Sequence, residues 1–132
     1  MTDTITNLQW MKKSDGCNGE VTQGDRNTCV PSGWRLPTIQ ELYSLCREDG
    51  TTTGLDAMLR SGSVGYCNDT LVDRRSELTS AGFTNVKSLY WSSTISSGSS
   101  YAWSVYMDSG RLNYGADSTL GYAYVWPVRS GH

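Results

Sequence analysis

The spacing of apolar residues changes about two thirds of the way along the chain. In Tyr101-Ala-Trp-Ser-Val-Tyr-Met107, Trp103, Val105 and Met107 fall on one side, and Ala102, Ser104 and Tyr106 fall on the other. A period of two is the signature of a strand. Asp108-Ser109-Gly110 then supplies turn chemistry, so the pattern predicts a hairpin returning through Arg111 to Tyr114. Ala123 to Arg129 reads as a last strand, at a sheet edge or ending near Pro127, whose ring nitrogen has no proton to donate.

Upstream, Thr4 to Met11 mixes β-branched and apolar residues and predicts one first strand. Lys12 to Ser32 carries Gly16, Gly19, Gly24, Asp25 and Asn27 and reads as a loop. Pro37-Thr38-Ile39-Gln40-Glu41-Leu42 holds the clearest local signal. Thr38 can cap the free amides of a helix, and Glu41 can reach back to the Thr38 amide. The expected helix runs from about Ile39 to Arg47, with Ile39, Leu42, Leu45 and Cys46 as its buried stripe and Gly50 available to end it. A second helix uses Leu55, Met58 and Leu59 before Gly62, and from Ser61 to Lys87 the pattern predicts no element. The sum is an α+β protein, helical in its first half, with an antiparallel twisted sheet in its second.

Length and charge narrow the classes. At 132 residues the chain fits one domain, residues 1–132. Its net charge is −2 and its basic residues are scattered singly, which argues against a nucleic-acid partner. No apolar run is long enough to insert in a bilayer. Cys17, Cys29, Cys46 and Cys67 contain no CxxC pair, and the sole histidine is His132, so no metal site and no cofactor is expected. Two disulfides, Cys17–Cys29 and Cys46–Cys67, are favoured because each closes a local loop poor in apolar anchors. Loops of that size are worth about 3 kcal/mol each in the chain-entropy model. The alternative is four reduced cysteines in a cytosolic protein. An exported, secreted or cell-surface module is the preferred setting, its signal segment lying outside these residues.

Several motifs converge on one family. Trp34-Arg35-Leu36-Pro37-Thr38 with Glu41-Leu42, then Tyr90-Trp91-Ser92-Ser93-Thr94, Ala102-Trp103, the Asp108-Ser109-Gly110 hairpin and Val125-Trp126-Pro127-Val128-Arg129 together resemble the Legionella collagen-like protein C-terminal domain family. Asp3-Thr-Ile-Thr-Asn-Leu-Gln-Trp10 looks like that family's first strand, so the resemblance covers nearly the whole chain. It implies a variant C-type lectin fold, related to the formylglycine-generating enzyme fold and used by bacterial surface proteins, adhesins and phage-like or retroelement-diversified receptors. The cysteine-bearing stretch Lys12 to Ser32 departs from relatives that carry another helix there.

Trp34, Arg35, Leu36, Trp91 and Trp126 read as framework, and Arg129 is expected to pair with a carboxylate such as Glu41. The ligand-binding candidates are Tyr101, Tyr106, Asp108, Arg111, Asn113, Tyr114, Asp117, Tyr122 and Tyr124, in a stretch rich in Ser, Tyr and Gly. Tyrosine offers wide amphipathic area at low entropy cost, while Asp, Asn and Arg supply directed hydrogen bonds. The alternative is a solvated sheet face with ordinary surface tyrosines. The expected partner is a glycan or protein on a host, partner cell or matrix. A diversified variable target-binding protein and a homotrimerising adhesin module are the other readings. There is no Asp-x-Asp-x-Asp loop and no Glu-Pro-Asn or Trp-Asn-Asp sugar signature, which argues against functional calcium. Catalytic motifs are missing too, with no Gly-x-Ser-x-Gly, no His-Glu-x-x-His and no cysteine after Cys67, so an enzyme is not expected.

Overall fold

The computed structural model describes residues 2–3, 8–15, 17, 19–61, 65–68, 70–96, 101–114 and 122–130. Its architecture is α+β, with three helices and two antiparallel three-stranded sheets among these residues. The first sheet has the order β1 (Thr2–Asp3), β2 (Leu8–Trp10), β6 (Val128–Ser130). The second has the order β3 (Leu89–Ile95), β4 (Ala102–Tyr106), β5 (Leu112–Tyr114).

The helix expected after Thr38 is α1 (Ile39–Cys46). Thr38 Oγ1 accepts from the Glu41 amide at 3.2 Å, and Glu41 Oε1 accepts from the Thr38 amide at 2.8 Å, so two otherwise orphaned donors are satisfied reciprocally. Glu41 also takes a bidentate pair from Arg35 at 2.6 and 2.7 Å. Burial would raise the Glu41 pKa, but the hydrogen bonds from Arg35 and Thr38 outweigh it and hold the carboxyl below its usual range. Ile39, Leu42, Leu45 and Cys46 are all buried, as the spacing predicts. The second expected helix is α2 (Leu55–Ser61).

Four expectations need correction. A third helix, α3 (Arg75–Ser80), lies where no element was predicted; it buries only Leu78 and has no side-chain cap, so it carries no apolar stripe to read. Tertiary bonds seat it instead, with the Arg74 amide donating to the Met107 carbonyl at 2.7 Å. Of the first strand expected over Thr4 to Met11, Leu8–Trp10 forms β2 while residues 4–7 lie outside the described residues, and a further short strand, β1, precedes it and pairs with it antiparallel. The last strand is likewise divided. Ala123 and Tyr124 lie against the second sheet, whereas β6 pairs with β2 in the first, and Pro127 falls between them. Finally, Arg129 does not meet Glu41: its guanidinium stacks over Trp34 at 4.3 Å and donates to Gln9 Oε1 at 2.7 Å, because Arg35 already occupies that carboxylate.

Both faces of the second sheet are covered. Tyr90, Trp103, Val105, Met107 and Leu112 face the main core, where Trp126 meets Trp10 and Phe83 edge-on at 5.4 and 4.9 Å. Leu89, Trp91 and Ala102 face a second apolar cluster closed by Leu36, Ala123 and Val125 and by Cys17, Val21 and Val30. The alternation in β4 thus marks two buried faces rather than one buried and one wet.

Candidate functional site

The hairpin expected at Asp108-Ser109-Gly110 is present, joining β4 to β5 with Gly110 at φ 79°. The predicted contact residues sit at both ends of it. Tyr101 directly precedes β4 and is 43% exposed, and Tyr122 is 60% exposed. Asp108 and Arg111 lie at the turn, seven to ten residues further along. Strand residues rise about 3.3 Å each, so the five residues of β4 hold the two groups on the order of 15–20 Å apart. Tyr101 therefore does not share a patch with Asp108 and Arg111.

Between these ends the chain is occupied by packing. Tyr106 is half-buried against the second cluster. Tyr124 packs against the main core, 6.2 Å from the Tyr90 ring, with the Lys87 ammonium 5.7 Å above its own ring. Asn113 is half-buried, and its carbonyl accepts from Ser104 Oγ at 3.3 Å. Tyr114 pairs its backbone with Trp103. Asp117 lies outside the described residues.

The turn end is framework. The Cys67 amide donates to the Gly110 carbonyl, the Val72 amide to that of Ser109, and Leu112 to Gly65, so residues 65–68 and 70–74 lie along the turn. Beneath it lies the Cys46–Cys67 disulfide. A Cβ at Gly110 would come within 3.1 Å of Cys67 Sγ, and the positive φ disfavours any side chain. The Cys46 carbonyl at the end of α1 accepts from Arg74 Nε at 2.8 Å and Asn68 Nδ2 at 3.1 Å, which places a buried cation at the negative end of the helix. Asp108 adds its charge to the Asp73 hydrogen bond that holds the Arg75 guanidinium above its ordinary pKa.

The opposite end is the candidate site. Ile95 pairs with Ala102 across β3 and β4, and the Ser96 amide donates to the Tyr101 carbonyl at 2.8 Å. The segment Val21–Arg26, with its 3₁₀ turn Gln23–Asp25, runs past this end. Val21 exchanges both backbone hydrogen bonds with Ala123, at 2.8 and 3.0 Å, and Gln23 Oε1 accepts from the Ala102 amide at 2.9 Å. Each contact lies one residue from an exposed tyrosine, so Tyr101 and Tyr122 flank the same segment. Arg26 reaches the Ser92 carbonyl with Nε and the Gln23 carbonyl with Nη1. Burial lowers its pKa. Ile95, Gln23 and Arg26 escaped the sequence reading. Ile95 continued a strand pattern, and the other two lay in a stretch read as loop. Two open depressions elsewhere, of about 420 and 340 Å³, share Gln40, Thr51 and Thr52 beside α1. Among the described residues no three His, Cys, Asp or Glu side chains cluster as metal ligands would.

Further along β3, opposite Val105, Tyr90 is fully buried, with its hydroxyl donating to Ser14 Oγ at 3.0 Å and accepting from the Lys87 amide at 2.8 Å. Burial pushes its pKa up to about 12. A pKa raised on folding means the stabilisation is complete below the unfolded value near 10 and is lost as pH climbs from there toward 12. The expected loss is roughly 2–3 kcal/mol. Tyr90→Phe should flatten that alkaline slope relative to the parent in denaturant titrations at stepped pH.

Among the described residues no helix is long and apolar enough to cross a membrane, and the two disulfides fit an extracellular, oxidising setting. No curated protein and no solved structure matches the chain. The family model of the Lcl C-terminal domain matches residues 1–129, a span that holds all three helices, the four cysteines and every strand but for the last residue of β6, and the chain belongs to the Lcl C-terminal domain family.

Proposed function

We propose that this chain is a secreted or cell-surface recognition module that binds a glycan or protein ligand at the corner formed by Ile95, Tyr101 and Tyr122 beside Val21–Arg26, and that it acts by binding rather than catalysis. The observation that carries this reading is where the exposed apolar area lies. Both faces of the second sheet are filled, yet of the four large apolar side chains exposed among the described residues, three, Ile95, Tyr101 and Tyr122, stand around one segment at 42–60% exposure, the fourth being Leu71 beside the turn. Aromatic faces of this kind stack on sugar rings or peptide groups, and neighbouring polar groups orient the ligand. Family membership and the α+β architecture support the surface setting and the variant C-type lectin reading.

The test is a screen of the purified domain on glycan and host-surface protein arrays, with solution mass measured on the same sample. For a ligand so found, Tyr101→Ala and Tyr122→Ala should each weaken binding by about 1–3 kcal/mol, as anchors at an interface do, without moving the melting temperature. Arg111→Ala, at the far end of β4, should leave affinity unchanged. Added salt should matter little and a chelator not at all. The opposite pattern would put the site at the turn, and loss of binding with EDTA would show a calcium lectin. A trimeric mass that dissociates in the tyrosine variants would make the corner a subunit seam.

A further inference from the structure

The two disulfides differ in kind. Cys46 and Cys67 are fully buried. Cys17 and Cys29 are half-buried and close a 12-residue separation at the surface. Between the latter runs a length of chain that is held to the body chiefly at its middle. Val21 bonds Ala123 through both backbone groups, and its carbonyl also accepts from Trp91 Nε1 at 2.8 Å. Gln23 takes the Ala102 amide, and Arg26 takes the Ser92 carbonyl. Cys17, Val21 and Val30 are the apolar cover over Leu89, Trp91 and Ala102.

We propose that residues 21–30, tethered through the Cys17–Cys29 disulfide, form a strap and that this disulfide is a redox latch: a mild external dithiol opens it while Cys46–Cys67 stays closed, and the strap then leaves the second sheet. Thiol–disulfide exchange needs an approaching thiolate, so the half-buried pair reacts and the buried pair is shielded. The dithiol's thiolate attacks one sulfur of the cystine, forming a mixed disulfide and expelling the other cysteine as thiolate. The reagent's second thiol then closes its own disulfide and releases the remaining cysteine. Two electrons pass from the dithiol to the cystine, and the two cysteine thiolates take up the protons the reagent gave to water. Opening frees the ends of a segment that holds few apolar anchors, so its ordering loses the constraint of the closed loop. Because Val21 and Gln23 sit beside Tyr122 and Tyr101, the latch would also control the corner; that consequence rests on the proposed function, whereas the strap does not.

The test needs no ligand. The intact protein is titrated with dithiothreitol and the freed thiols are trapped by alkylation and peptide mapping, while amide exchange is followed by NMR. Cys17 and Cys29 should be trapped at dithiol concentrations at least about tenfold below those that trap Cys46 and Cys67. In that partly reduced species the Ala123 and Ala102 amides, whose acceptors lie on the strap, should lose protection by about tenfold or more. The Tyr124 amide, which donates to Leu89 on β3, and the Cys67 amide, which donates to Gly110, should keep theirs. A Cys17→Ser/Cys29→Ser variant should reproduce the same pattern without reductant. Joint reduction of both disulfides, or selective reduction with unchanged exchange at Ala123 and Ala102, would overturn the proposal. Either result leaves the binding reading to be decided separately by the tyrosine variants.

Discussion

Trp103→Ala should destabilise the protein by about 3–5 kcal/mol, the range for removing a buried aromatic whose neighbours cannot collapse into the space. The indole is 1% exposed in the main core, in the middle of β4, with Val105 beside it on the same face. Its backbone is fixed on both sides, by Tyr114 on β5 and by the Ser92 hydroxyl that donates to its carbonyl at 2.6 Å. The void therefore stays open. Tyr106→Ala, on the other face of the same strand, should cost less than half as much, since that ring is half-buried at the margin of the smaller cluster. Chemical denaturation of the two variants compares them directly, and equal losses would refute the assignment of faces.

Cys46→Ala/Cys67→Ala should be nearly as damaging, at about 3–5 kcal/mol, and should lower the melting temperature by roughly 10–20 °C. The separation of 21 residues accounts for about 3 kcal/mol of that through the unfolded chain. The remainder comes from packing, because both sulfurs fill space against Gly110 and the corner gathers Arg74, Asn68 and the end of α1. A scanning calorimetry trace that barely moved would show that Arg74 and the hydrogen bonds alone hold the corner.

Legibility in the sequence followed how local the cause was. The Thr38–Glu41 capping box, the stripe of α1 and the Asp108–Gly110 turn depend on residues within a few positions of one another, and the structure has all three. Both disulfides were legible for the same reason, being short closures in chains poor in apolar residues. α3 was not, because one buried leucine makes no periodicity and its support comes from Met107. Nor was the covering of the second sheet face. The alternation of Trp103 with Ser104 reads as one wet face unless the Val21–Ala123 pairing, about a hundred residues apart in sequence, is known. That pairing is also what separates the two exposed tyrosines from Tyr106 and Tyr124, which composition alone had grouped with them.

The pairing of Leu8–Trp10 with Val128–Ser130 has a consequence for how the chain can be made. A ribosome releases the amino end first, so Trp10 emerges long before the strand and the Trp126 ring that shelter it. Until Val128–Ser130 has been made, this edge has no native neighbour on its β6 side. Closing so long a loop is slow compared with forming a helix or a hairpin. Completion of the first sheet therefore waits for the far partner of the pairing, and Leu8–Trp10 stays open on that side until Val128–Ser130 has been made.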